Sequence, residues 1–140
     1  EKTTHSPHYE YHKFDPSDPK SHRRSVYRFI ARSQPDPFMT TLDCADSSQS
    51  TPKRDETLTA LQALSLLNNK FTLHMANRFA SRIEKESKTL RGRIRRAHQL
   101  TTGHSPRPEE MVALEDYAQK HGLPNLCRVL FNLSEFTYLD

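Results

Sequence analysis

The densest run of side chains able to hold a charged ligand lies between Arg82 and Arg96. Seven basic residues (Arg82, Lys85, Lys88, Arg91, Arg93, Arg95 and Arg96) stand there beside two acids, Glu84 and Glu86, a local charge of +5. On a helix, such groups can line a surface that meets phosphate or sulfate. Lys85, Lys88, Arg91, Arg93, Arg95 and Arg96 are therefore the candidate polyanion-binding set. No aromatic residue is interleaved for base stacking, which argues against nucleic acid. A solvated face with local ion pairs is the competing reading. Outside this segment acidic residues exceed basic ones by one, so the protein is not generally basic.

A second basic group, Arg23, Arg24, Arg28 and Arg32, precedes a stretch holding Asp36, Asp43, Asp46 and Asp55. The planar guanidinium binds carboxylates bidentately, so these arginines suit the fixing of a loop. Arg23, Arg24 and Arg28, with Gln62, are expected to dock an N-terminal arm onto helices. The same aspartates could converge on a cation, but no loop motif arranges the six to eight oxygens that calcium takes. Turn formation and capping explain them more simply. His5, His8 and His12 have metal-like intervals, but Pro7 keeps them off a common helix face, and they read as solvated. His74, His98, His104 and His121 are scattered over four segments, with nothing to mark one as a ligand.

Two cysteines, Cys44 and Cys127, exclude a disulfide-dense scaffold and a zinc-finger pattern. They are either separate thiols or one long-range bridge. Cys44 lies between Asp43 and Asp46, a setting that suits an inert or bridged sulfur better than a nucleophile. No Cys-x-x-Cys-His attaches a haem to this chain. Three glycines, at 92, 103 and 122, leave no Gly-x-Ser-x-Gly elbow and no phosphate-cradling loop. No catalytic residue, cofactor ligand or metal ligand is expected.

The elements that position these groups follow from 140 residues, 34% of them hydrophobic. Leu, Ile, Val and Phe number six in residues 1–55 and 22 in residues 56–140, so the core belongs to the second part. Residues 1–55 read as an irregular arm: prolines at 7, 16 and 19 break the first 22 residues, 23–32 favour helical spacing, and 33–55 read as a long ordered loop. Residues 56–140 read as helices. Leu58, Leu61, Leu64 and Leu67 form the first apolar stripe, and Met75, Phe79 and Ile83 the second, from about Thr72. Leu90, Ile94, Ala97 and Thr101 form the third, ended by Gly103. Pro108 opens the fourth, with Met111, Leu114 and Ala118 inward and Gly122 closing it. The fifth runs from Asn125 through Leu126, Val129, Leu130 and Leu133. The expected fold is all-α, a small bundle of about five helices with a long irregular N-terminal arm. No run approaches the roughly 20 apolar residues of a membrane span. There is no initiator Met and no signal-peptide pattern, so Glu1 reads as a processed end or a cut within a longer chain.

Several runs, taken in order, resemble a known family: Arg23-Arg24-Ser25-Val26-Tyr27-Arg28, Gln34-Pro35-Asp36-Pro37-Phe38, Leu42-Asp43-Cys44 and Gln49-Ser50-Thr51-Pro52. Leu61-Gln62-Ala63-Leu64, Leu66-Leu67-Asn68-Asn69 and Asn132-Leu133-Ser134-Glu135-Phe136 continue the series. Together, over about residues 22–140, the chain resembles the C-terminal domain of large secreted planctomycete proteins, domain-of-unknown-function family fifteen-fifty-three or planctomycete secreted domain one. Lys70 departs from the proline expected after Asn68-Asn69, and Arg107 from a Ser or Thr cap before Pro108. The resemblance implies an extracytoplasmic home, which permits a Cys44–Cys127 bridge. It also implies a longer parent chain whose other domains can include cytochrome-c-like, and so haem-bearing, or carbohydrate-recognition domains. It carries no catalytic residues.

Three functions follow as expectations. The first is a non-catalytic structural or interaction module, docking other domains of its parent or an envelope protein. The second is a binding module for acidic or sulfated polysaccharide through residues 82–96. The third is part of a composite enzyme or cytochrome-linked redox protein whose site lies mainly in other domains.

Overall fold

The computed structural model describes residues 11–22, 24–27, 34–44 and 59–137. His5, His8, Arg23, Arg28, Arg32, Asp46, Asp55 and Leu58 lie outside the described residues. The described part is all-α, with no β-strand, and divides into two compact units, Glu1–Ser65 and Leu66–Asp140.

In the first unit, prolines and aspartates make short turns. Three single 3-10 turns, Tyr11–Lys13, Pro19–Ser21 and Ser25–Tyr27, precede helix α1, Pro37–Thr41. The stretch read as loop thus contains a helical turn. Its start is encoded by Asp36-Pro37: the Asp36 carboxylate accepts from the Phe38 amide at 3.0 Å, and proline takes the first helical position, where no donor is needed. The helix ends in a paired C-terminal motif, with the Asp43 amide donating to the Thr40 carbonyl and the Cys44 amide to the Met39 carbonyl. Asp43 occupies the left-handed position of that motif, at φ 55°.

Helix α2, Ala60–Asn68, begins with a reciprocal cap. The Gln62 amide donates to Thr59 Oγ1 at 3.2 Å, and the Thr59 amide donates to Gln62 Oε1 at 3.0 Å. The expected leucine face is not the covered one. Leu61 and Leu64 are 62% and 57% exposed, while Gln62, at 6%, is the buried residue of α2. Periodicity identifies which face is apolar; the neighbours decide which face is covered.

The second unit is built around α3 (Lys70–Glu86), α4 (Leu90–Thr102), α5 (Pro108–His121) and α6 (Leu123–Leu130), followed by the short α7 (Ser134–Thr137). Asn69 alone separates α2 from α3. Its side chain accepts from the Phe71 amide at 2.8 Å, so the break holds without a proline at position 70. Thr89 caps α4 by accepting from the Gly92 amide at 3.1 Å, and Gly103 ends it in the left-handed conformation. Arg107 has no acceptor to offer α5. The start is secured from the other side, by Glu110 Oε2 accepting from the Arg107 amide at 2.7 Å. The expected fifth helix is split: α6 begins at Leu123 and stops at Leu130, and Phe131–Leu133 form a turn before α7.

The core lies where α3 and α6 pack most extensively, flanked by α4 and α5. Ile83, Ile94, Leu126, Leu130 and Cys127 are its largest fully buried side chains. Burial of one such Leu or Ile contributes about 1.5–3 kcal/mol. Ala76, Ala80, Ala97 and Ala118 fill the close approaches between helices. Phe131, from the turn after α6, stacks on Phe79 of α3 at 5.3 Å and on Phe136 of α7 at 5.1 Å.

Candidate functional site: a basic face on α3 and the α3–α4 turn

Folding sorts the seven cations of residues 82–96 into engaged and unengaged groups. Glu86, at the last position of α3, is the organiser. Its Oε1 accepts from Arg82 Nε at 2.8 Å, one turn back, and its Oε2 from Arg96 Nε at 2.7 Å, on α4. Hydrogen bonds first from Arg96 and then from Arg82 hold this carboxyl below its ordinary range. Arg93 donates from Nε to the Ser87 carbonyl at 2.9 Å, satisfying the carbonyl that closes α3. Arg91 faces Glu115 of α5 at 3.7 Å.

Lys85, Lys88 and Arg95 are exposed and form no ion pair among the described residues. Of the six residues expected from the sequence, half are therefore structural and half are available to a ligand. Lys85 lines an open cavity along α3 with His74, Arg78, Arg82 and Glu86. Arg78 is a cation that the sequence reading missed because it lies four residues before the charged window. The usable signal was the i, i+4 series His74, Arg78, Arg82, which puts all three on one helix face. His74 Nε2 is buried in this wall without a hydrogen-bond partner. The arrangement offers cationic donors along one helix face, the kind of group that meets an anion.

The other expected residues are placed as follows. Gln62 Nε2 donates to Asp43 Oδ2 at 2.9 Å, tying the end of α1 to the start of α2. Arg24 is exposed. Arg23 and Arg28 are outside the described residues. Cys44 and Cys127 are free thiols in this structure. Cys127 is 0% exposed in the core, and burial, opposed weakly by a backbone hydrogen bond, pushes its thiol up to about 12. Among the described residues, no group of three or more His, Cys, Asp or Glu is placed to hold a metal ion, and no helix is long and apolar enough to cross a membrane.

Over residues 2–118 the sequence matches the PSD1 family, described as a protein of unknown function (DUF1553). The match starts before residue 22, where the sequence resemblance begins, and stops inside α5. The Asn132–Phe136 motif lies beyond it. No curated protein and no solved structure matches the chain. The match covers well over half of the residues, and the chain belongs to the PSD1 (DUF1553) family.

Proposed function

We propose that this domain is a non-catalytic interaction module of a larger secreted protein, and that it engages acidic or sulfated polysaccharide through the basic face of α3. The supporting observation is the alignment of Arg78, Arg82 and Lys85 along one open cavity, with Glu86 fixing Arg82 and Arg96 in place. Lys88 and Arg95 extend the unpaired charge into the α3–α4 turn and α4. Cations restrained in advance lose less side-chain freedom on meeting sulfate than free ones do. Binding of dextran sulfate, with neutral dextran as control, tests this. The affinity should fall steeply with salt and drop about tenfold or more in Arg78→Glu/Lys85→Glu. Salt-independent binding, or equal binding of neutral dextran, rejects it.

A second reading is docking against other domains of the parent chain or an envelope protein. It is favoured by Leu61 and Leu64, three residues apart and exposed on α2. Salt-resistant capture of the parent's other domains, lost in Leu61→Ser, is its signature.

A further inference from the structure

We propose that the cavity framed by α4, α5, α6 and α7 binds a primary ammonium group carried on an apolar stem. This cavity has a volume of about 410 Å³ and is separate from the basic face. Leu114, Val129, Leu130 and Leu133 supply apolar wall. The polar lining comes from His98, Glu110, Ser134 and Glu135.

His98 is the buried polar member of this lining. It is 5% exposed, in a unit whose other buried residues are nearly all apolar. Its Nδ1 lies 2.8 Å from the His104 carbonyl, an atom that only accepts, so Nδ1 carries a proton. Thr102 Oγ1 sits 2.9 Å from the same nitrogen and 2.9 Å from the His98 carbonyl, to which it donates. The His104 ring packs edge-on at 5.0 Å and holds the imidazole plane. In the neutral ring Nε2 is then an acceptor, and it makes no hydrogen bond among the described residues. The imidazole as a whole is buried, while Nε2 is left to a donor that enters the cavity.

The exposed end of the cavity is anionic. Glu110 has one carboxylate oxygen engaged by the Arg107 amide and a second remaining. Glu135 Oε2 stands 3.6 Å from His104 Nε2, with the side chain 60% exposed. No Lys or Arg lines the cavity among the described residues. His98, Glu110 and Glu135 thus bring one imidazole and two carboxylates to the lining of a single cavity. An ammonium supplies three donors and one positive charge, whereas an alcohol supplies a single donor and a carboxylate none. The leucine and valine walls would take the methylene stem, which favours binding in proportion to the apolar area removed from water. The same head and stem occur in a free alkylamine and in a lysine side chain of a docking protein.

The test is calorimetric or NMR titration of the full chain with hexylammonium, hexanol and N-acetyl-lysine methylamide. Saturable hexylammonium binding at least about tenfold tighter than hexanol is expected, the size of a charge-assisted hydrogen bond. Glu135→Gln, at an exposed position, should weaken it by about tenfold while leaving the circular dichroism unchanged. His98→Gln should abolish it, and the exposed Glu110→Gln provides a second readout should His98→Gln fail to fold. Lysine derivative binding as tightly as hexylammonium identifies a protein lysine as the source; preference for hexylammonium identifies a free amine. Absence of binding, equal affinity for hexanol, or full affinity retained in both glutamate variants overturns the proposal. Arg78→Glu/Lys85→Glu must leave hexylammonium binding intact, so failure of the polysaccharide reading is separable from failure here.

Discussion

Asp43 does two things that no glycine could do together. It takes the left-handed position at the end of α1, and its carboxylate receives Gln62 from α2. A left-handed residue with a β-carbon costs about 1–2 kcal/mol, and Asp and Asn tolerate the position best. Asp43→Ala should therefore lower the stability of the first unit by about 1–2 kcal/mol, since it keeps the strain and loses the hydrogen bond. Asp43→Asn should cost much less, and denaturant midpoints of the two variants check the difference. The Thr59-x-x-Gln62 pattern is a readable cap. Asp43 was not legible as the partner of Gln62, because nothing in sequence spacing couples residues 19 apart. Cys127 is the other residue whose environment decides its chemistry. Its thiol is raised by burial, so the neutral form is favoured in the fold, while in the unfolded chain it ionises in the ordinary range. Its contribution to stability is complete below that range and is lost as the pH rises toward about 12. Native protein should show Cys44 reacting with iodoacetamide and Cys127 unmodified until denaturant is added, as mass spectrometry would report.

At the scale of the element, most helices announced themselves through their ends. Gly103, Pro108 and Gly122 mark boundaries that the structure keeps within a residue or so. The short α1 and α7 escaped because hydrophobic periodicity needs two turns or more to register. The candidate anion site was half legible for a related reason. Charge density located it, but only the approach of α4 to the end of α3 reveals that Arg96 is tied to Glu86. The Arg82–Glu86–Arg96 fork makes a directional prediction. Glu86 has a lowered carboxyl pKa in the fold, so its stabilising effect is present above the ordinary carboxylate range and disappears as the pH falls through the lowered value. The stability difference between the native chain and Glu86→Gln should shrink on acidification and in high salt. A difference independent of both, measured by thermal unfolding, would contradict the ion-pair account.

For the whole molecule, the family match and the core have different limits. The match ends at Ala118, inside α5, yet Leu123, Leu126, Cys127 and Leu130 of α6 are all in the core. A chain cut after Ala118 loses the helix most extensively packed on α3 and leaves Ile83 and Ile94 open to water. It should unfold without a cooperative transition by circular dichroism, whereas the fragment 66–140 should keep one. The all-α class was readable from the concentration of apolar residues after position 56. The cavity around His98 was not, since its lining residues are drawn from four helices, and none of them is notable alone.

The α5–α6 junction has a mechanical consequence. The Gly122 amide donates to Ala118 at 2.9 Å as the last bond of α5, and its carbonyl accepts from Leu126 at 3.2 Å as the first bond of α6. The whole change of direction is confined to the two dihedrals of this one residue, φ 84° and ψ 159°, a combination essentially restricted to glycine. The corner has no linker: any change of angle between α5 and α6 has to turn Gly122 itself, next to the end of the helix that carries Glu110.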